Sequence, residues 1–144
     1  MNINQDKRVI EIYLPSELGY EKVAMACAAT LARQQGFPQD KIEDLKTAIA
    51  EACTNAIEHG NSFNFQIKVS IILTVDHNSI QVSIIDAGHK SIPTPLPDRS
   101  LRTDFRGMGL YLIQMLMDKV EIKSQPGRNE VQMISYLQSP SLAS

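Results

Sequence analysis

The stretch that decides the fold is EACTNAIEHGN, residues Glu51–Asn61, which closes an amphipathic helical pattern. Upstream, apolar residues recur at three- and four-residue spacing and place one stripe on the core side of the helix. Glu51 and Asn55 lie one turn apart on the opposite side, roughly 40° apart around the axis. Two interpretations stay open for this pair: an ordinary solvated helix face, or a carboxylate and an amide aimed at a ligand.

Composition narrows the class of protein. The chain has 144 residues, of which 43% are hydrophobic and 21% charged, and its formal net charge is −2. This length predicts one domain whose core needs no metal or disulfide to fold. No lysine and arginine cluster indicates nucleic-acid binding, and no apolar run reaches the length of a membrane span. Cys27 and Cys53 are expected to be reduced packing residues, the three histidines lack zinc-ligand spacing, and we expect a cytoplasmic protein.

Two helices are predicted around the opening stretch. The first follows a strand over Val9–Leu14, with Ser16 as its N-cap. The second begins at Asp40, which forms a capping-box pattern with Glu43, and ends at Gly60, a usual position for a left-handed cap. Each helix has its apolar residues on one face, so both are expected to cover a sheet.

Four more strands and a third helix come after them. Two strands of alternating hydrophobicity, Gln66–Val75 and Ile80–Asp86, are joined by a short polar turn. A third helix begins near Gly107 and is apolar on nearly every side, which predicts that it is buried. Two closing strands occupy Lys119–Ser124 and Glu130–Leu137. The order β-α-α-β-β-α-β-β predicts an α+β fold, a two-layer sandwich in which helices cover one face of a mixed, mostly antiparallel sheet.

A long segment without periodicity, Ala87–Arg106, separates the third strand from the third helix. Three prolines forbid a helix in it, and a loop of about twenty residues in a compact domain is typical of a lid or binding loop. Asp86 and Gly88 stand where the strand runs into this loop, and Gly107 and Gly109 stand where the loop becomes a helix. Glycines at a helix N-terminus expose N–H groups that favour an anion, and they equally permit a sharp turn into a buried helix.

These glycine-containing segments match neither a P-loop nor a dinucleotide-binding fingerprint, because the required lysine and third glycine are missing. In their order they resemble the motifs of the GHKL superfamily, the ATP-binding (Bergerat) fold of histidine kinases and gyrase-type ATPases. Glu51-x-x-x-Asn55 resembles its N box, Asp86-x-Gly88 its first Gly box and Gly107-x-Gly109 its second. Within the superfamily the chain resembles the RsbW-type anti-sigma factors, which are serine/threonine protein kinases.

The resemblance implies a role for each matched position. Glu51 would be the general base that takes the proton from an attacking hydroxyl, and Asn55 would ligate Mg²⁺. Asp86 would accept a hydrogen bond from the adenine amino group, and Gly88 would let the backbone pass close to the base. Backbone N–H groups of the second Gly box would bind phosphate; its residues are Gly107, Met108, Gly109 and Leu110.

Two further residues are expected at the same site. Arg106 would stabilise the transferred charge, with a solvated loop arginine as an equal alternative, and His59 would lie near the nucleotide. The resemblance implies ATP and Mg²⁺ as cofactors and a histidine-kinase-like ATPase domain over residues 1–138, followed by a flexible tail over 139–144.

The resemblance also implies a place in a regulatory switch. The protein would be an ATP-dependent serine/threonine kinase and anti-sigma factor that phosphorylates a STAS-domain antagonist, binds a sigma factor and forms a homodimer. No nucleic-acid or membrane partner is expected. A non-catalytic nucleotide-binding regulator and a detached catalytic domain of a histidine kinase are the alternatives.

Overall fold

A computed structural model of the protein describes residues 7–93 and 105–138. Five strands form one sheet: β1 (Arg8–Pro15), β2 (Lys68–Val75), β3 (Ser79–Asp86), β4 (Lys119–Gln125) and β5 (Arg128–Tyr136). The helices are α1 (Glu21–Gln35), α2 (Gln39–Asn55), which continues into a π-helical turn over Ala56–Gly60, and α3 (Phe105–Leu116). The predicted tail, 139–144, and the greater part of the predicted lid, 94–104, lie outside the described residues. The boundary at residue 138 therefore stays a prediction.

The sheet has the strand order β1-β2-β3-β5-β4, and all four neighbouring pairs are antiparallel. The predicted α+β sandwich is confirmed with one correction, because the described strands form an antiparallel sheet rather than a mixed one. β3 and β4 are joined through α3 and run in the same direction, as a helical crossover favours. They are not neighbours, however, since β5 lies between them and is antiparallel to both.

The core lies between the helices and one face of the sheet. Along β2, Val69, Ile71 and Leu73 are fully buried, while the residues between them are partly exposed, as the period of a strand requires. The predicted apolar stripe of α2 is confirmed as buried; it comprises Ile42, Leu45, Ile49, Ala52, Cys53 and Ala56. Within the described ranges, no helix has the length and hydropathy that a membrane span requires.

Both cysteines are free, as expected. Burial raises the pKa of the Cys53 thiol to about 12, with a smaller contribution from the negative charge of Glu21. Burial also raises the pKa of Cys27, which is only half-buried. Both thiols therefore stay neutral near pH 7 and act as packing groups.

Two predicted helix starts are wrong. α1 begins at Glu21, and Ser16 does not cap it. β1 instead runs through Pro15, and the buried Ser16 Oγ donates to the carbonyl oxygen of Ile67 at 2.5 Å. α2 begins at Gln39 without a side-chain capping bond, so Asp40 lies inside the first turn instead of preceding it. The Asp40 carboxylate in the first turn still interacts favourably with the positive end of the helix dipole.

The predicted left-handed cap at Gly60 is also wrong. The helical segment does end at Gly60, as predicted, but it ends as a π-helical turn, in which the Asn61 N–H donates to the Ala56 carbonyl oxygen at 2.8 Å. The left-handed conformations fall two residues later, on Ser62 (φ 48°) and Phe63 (φ 60°). A π-helical turn inserts one extra residue and rotates the residues beyond it around the axis, which turns Gly60 toward β3.

The composition of α3 predicts a helix that is buried on nearly every side, and this prediction is wrong. Leu110 and Ile113 are buried against the rest of the domain, but Met108 and Met115 are 56% and 65% exposed. Among the described residues, the helix packs on α2 and β4, with Leu110 and Ile113 on its buried face. Methionines on the other face gave the sequence its uniformly apolar pattern.

Candidate functional site

Glu51 and Asn55 face α3 rather than solvent. Glu51 is half-buried and Asn55 is 7% exposed. A β-carbon built at Gly109 of α3 would be 2.8 Å from Glu51 Oε2 and 3.1 Å from Asn55 Nδ2. The interpretation of an ordinary solvated helix face is therefore wrong, because the pair forms part of a packed contact between two helices.

Asn55 carries an unsatisfied polar atom. Its Nδ2 is buried and has no hydrogen-bond partner among the described residues. A buried polar group without a partner costs about 1–3 kcal/mol, so a native structure that keeps one usually supplies a partner from elsewhere. Rotation of the amide by half a turn exchanges its nitrogen and oxygen, and either atom can face the same space. The site therefore fits a ligand that an amide oxygen would bind.

The donor set agrees with Mg²⁺ held mainly by phosphates. Within residues 7–93 and 105–138 no group of three His, Cys, Asp or Glu side chains could hold a metal ion. Mg²⁺ usually keeps several waters and binds one or two protein oxygens together with substrate phosphates, so a protein cage is not needed. Asn55 would supply one such oxygen.

Gly60 brings the end of α2 against the end of β3. A β-carbon at Gly60 would lie 2.0 Å from Asp86 Cγ and 2.2 Å from Asp86 Oδ2. Both distances are far shorter than a non-bonded contact allows, so no side chain fits at this position. Glycine is required here for this close approach, not for a left-handed cap. The Gly60 carbonyl oxygen also accepts a hydrogen bond from the His89 N–H at 2.8 Å. The N-box helix and the first Gly box are therefore in direct contact.

Asp86 is 6% exposed and sits at the last position of β3. Its Oδ1 accepts hydrogen bonds from the Gly88 N–H at 2.7 Å and from Asn129 Nδ2 at 3.0 Å. Gly88 has φ +68°, and a β-carbon there would be 2.5 Å from the backbone nitrogen of Arg128. In the described structure Gly88 is thus needed for the contact with the β4–β5 turn and for its left-handed backbone.

Two asparagines hold the first Gly box, and the sequence prediction missed both. Asn61 is 2% exposed; its Oδ1 accepts from the Ala87 N–H at 2.7 Å, and its Nδ2 donates to Ser16 Oγ at 2.8 Å. Asn129, on β5, bonds to Asp86 itself. No local pattern marks either residue, because their partners lie on distant parts of the chain. The one signal in the sequence is that Asn61 directly follows Gly60 in the segment Glu51–Asn61.

The second Gly box is helical. α3 begins at Phe105, so the N–H groups of Gly109 and Leu110 lie beyond the first turn, where α-helical N–H groups bond within the helix. Gly109 contributes to the site through its contact with Glu51, and Leu110 is buried in the core. Met108 is exposed beside them.

The other predicted site residues lie at the start of α3 and in the π-helical turn. Gly107 is in the first turn of α3, among the positions whose N–H groups lack helical partners. The side chain of Arg106 lies outside the described part of the structure, and its predicted role stays a prediction. His59 is in the π-helical turn, where its Nε2 is 3.9 Å from Glu58 Oε2. Gly60, the next residue along the chain, packs against Asp86.

Comparisons with known proteins agree with this arrangement. Residues 14–135 match the histidine kinase-like ATPase domain family. The chain is 31% identical over 137 residues to the serine-protein kinase RsbW of Bacillus velezensis, covering 89% of this chain and 85% of that protein. It is 32% identical over 136 residues to the serine-protein kinase RsbW of Halalkalibacterium halodurans, covering 88% of this chain and 82% of that protein.

A solved structure has the same fold. It contains the RsbU and RsbW domains of Rv1364c from Mycobacterium tuberculosis and is similar with a TM-score of 0.69 at 18% sequence identity. The similarity covers 92% of this chain and 33% of that one, so this chain spans about a third of the solved chain.

Proposed function

Because the chain belongs to the RsbW-type serine-protein kinases of the histidine kinase-like ATPase family, we propose that it is an ATP-dependent serine/threonine kinase acting as an anti-sigma factor. The observation that carries the proposal is the packing of Gly109 on Glu51 and Asn55, where a carboxylate adjoins a buried amide whose Nδ2 has no partner in the part of the chain that the structure describes. A carboxylate suits proton transfer, and an amide oxygen suits a hard cation.

Each residue then has a defined task. Bound ATP with Mg²⁺ would supply the γ-phosphoryl group to be transferred. Glu51 would take the proton from a serine or threonine hydroxyl of the protein substrate as the hydroxyl oxygen attacks. Asn55 would hold the cation through its side-chain oxygen.

Asp86 would select the base. Its carboxylate would accept a hydrogen bond from the adenine amino group, which is a donor that needs an acceptor. Gly60 leaves room for that carboxylate, and Gly88 would let the backbone pass close to the base. Gly107 would offer its N–H to phosphate, and Met108, Gly109, Leu110 and Arg106 are proposed to line the same end of the nucleotide. His59 is proposed as a neighbouring contact.

The proposed substrate is a STAS-domain antagonist, and the second proposed partner is a sigma factor. The support is the similarity to proteins named serine-protein kinase RsbW. Because a sigma factor is the proposed partner, we propose that the protein is cytoplasmic. We also propose that it functions as a homodimer.

The competing function is a regulator that binds nucleotide without transferring phosphate. The half-buried Glu51 beside the proposed ligand Asn55 favours phosphate transfer, since nucleotide binding alone does not need a base there.

The test incubates the protein with γ-labelled ATP and a purified STAS-domain antagonist from the same genome. The proposal expects label on a serine or threonine of the antagonist. ADP binding with no label on any such antagonist would favour the non-catalytic regulator.

A further inference from the structure

Three polar residues form a row across neighbouring strands at the end of the sheet that carries Asp86. Asp86 on β3 is the register partner of Asn129 on β5, and Asn129 is the register partner of Ser124 on β4. Asn129 Nδ2 donates to Asp86 Oδ1 at 3.0 Å, and Ser124 Oγ donates to Asn129 Oδ1 at 2.6 Å. Asn129 has no exposed surface, so all of its hydrogen bonds must come from the protein around it.

These bonds fix the direction of the Asn129 amide. Its Nδ2 meets two acceptors, Asp86 Oδ1 and the Lys90 carbonyl oxygen, the second at 2.8 Å. Its Oδ1 meets Ser124 Oγ, which accepts from the Ile92 N–H at 3.0 Å and directs its own proton to the amide. The reversed amide would place an oxygen against a carboxylate and a carbonyl. Only the observed direction satisfies every partner.

The amide in turn fixes the Asp86 carboxylate. Asp86 Oδ1 accepts from Asn129 on one side and from the Gly88 N–H on the other, at 3.0 Å and 2.7 Å. Two donors on one oxygen restrict rotation of the carboxylate about its Cβ–Cγ bond. Gly60 packs against the same group and limits its displacement. Asn129 of β5 therefore helps to set the direction in which Asp86 accepts further hydrogen bonds, together with the Gly88 N–H and the packing of Gly60.

Resting on the nucleotide-binding function proposed above, we infer that Asn129 is a positioning residue that orients Asp86 for recognition of the adenine amino group. Asn129 acts through Asp86 and does not itself touch the base. Adenine carries an amino donor at the position where hypoxanthine carries a carbonyl oxygen, which a carboxylate repels. The preference for ADP over IDP therefore reports the orientation of Asp86. A purely structural role for Asn129 would change stability and leave that preference intact.

The test measures the dissociation constants of ADP and IDP by titration calorimetry in the wild-type protein, Asn129→Leu and Ser124→Ala. Leucine has the same branching and the same number of non-hydrogen side-chain atoms as asparagine but is bulkier and has no donor for Asp86. Ser124→Ala is the matched control, because it removes a part-buried bond of the same row, while the Asn129 Nδ2 bonds to Asp86 and to the Lys90 carbonyl oxygen still fix the amide. We expect the preference for ADP to fall about tenfold in Asn129→Leu. In Ser124→Ala it should stay at the wild-type value, although both variants melt at lower temperatures.

Each contrary result has a distinct meaning. An unchanged preference in Asn129→Leu, with a wild-type protein that favours ADP, overturns the positioning role and leaves nucleotide binding intact. A wild-type protein that binds neither nucleotide overturns the proposed function together with this inference. If Asn129→Leu does not fold, Asn129→Ala carries the same comparison, because its small cavity lets water satisfy the Lys90 carbonyl oxygen.

Discussion

The backbone of Gly109 lies directly against the side chain of Glu51, since a β-carbon at this glycine would be 2.8 Å from Glu51 Oε2. The same β-carbon would be 3.1 Å from Asn55 Nδ2. The second Gly box and the N box, far apart in sequence, thus form one packed unit. The missing side chain of the glycine defines the space that the carboxylate occupies.

Gly109→Ala should impair catalysis more than folding. The added methyl meets the flexible end of Glu51, which can move aside, and alanine favours the helix by about 1 kcal/mol over glycine. We expect the melting temperature to change by less than about 5 °C. A carboxylate displaced by about 1 Å should lower the phosphotransfer rate roughly 100-fold. Phosphotransfer at the wild-type rate would show that the position of Glu51 is not critical.

Glu51→Gln should separate binding from chemistry. Glutamine keeps the size of the side chain but cannot accept the substrate proton, so the phosphotransfer rate should fall by about 10²–10⁴-fold. ADP affinity should change less than about twofold, because the base is not needed to hold the nucleotide. Glu43→Gln is the matched control, an exposed glutamate on the same helix that pairs with Lys46. Rapid transfer by Glu51→Gln would remove Glu51 from the role of base.

Gly60→Ala should damage both the fold and the nucleotide site. Its β-carbon would lie 2.0 Å from Asp86 Cγ, so the backbone or the carboxylate must shift. We expect a loss of about 1–3 kcal/mol in the free energy of unfolding and a marked loss of ADP affinity.

The control for Gly60→Ala is Gly36→Ala. Gly36 has φ +88° at the end of α1, and no atom of the described residues lies within 4 Å of a β-carbon built there, so alanine at this position strains the backbone. Urea unfolding and ADP titration of both variants make the comparison. Equal ADP affinities in the two would contradict the contact between Gly60 and Asp86.

The lowered pKa of Asp76 predicts that the protein loses stability in acid. Burial acts to raise the pKa of its carboxyl, but hydrogen bonds from Asn78 and Ser79 and the charge of His77 outweigh it and leave the pKa below 3.8. A lowered folded-state pKa stabilises the protein above pH 3.8, and this contribution disappears as the pH falls through the lowered pKa. Asp76→Asn should therefore be less stable than wild type near pH 6, and the gap should close below about pH 3.8. Urea unfolding at several pH values measures the gap, and a gap independent of pH would refute this linkage.

Local patterns sufficed for the elements of the fold, whereas the candidate site residues came from the resemblance of ordered motifs to a known family. The alternation of Val69, Ile71 and Leu73 marks a half-buried strand without reference to any other segment. Likewise, the four-residue spacing of Glu51 and Asn55 fixes their common direction on a helix.

Tertiary partners decided what the sequence could not. Ser16 and Gly60 both satisfy local capping rules, but Ser16 bonds across to Ile67, and Gly60 is needed for contact with Asp86. Asn61 and Asn129 have no local signature, because each is defined by a hydrogen bond to a residue far along the chain. Such long-range polar contacts are set by strand register, which single-sequence periodicity does not determine.

The most direct test of the central claim is a thermal melt of wild type and Asn55→Ala with ADP, in the presence and absence of Mg²⁺. Without nucleotide, Asn55→Ala should melt no lower than about 3 °C below wild type, because the substitution removes a buried amide whose Nδ2 has no partner within residues 7–93 and 105–138. At about 100 times the dissociation constant, Mg²⁺ and ADP should stabilise wild type by about 2.7 kcal/mol and raise its melting temperature by roughly 5–10 °C. We expect the Mg²⁺-dependent part of this rise to be lost in Asn55→Ala. No rise in wild type, or an equal rise in both proteins, would contradict it.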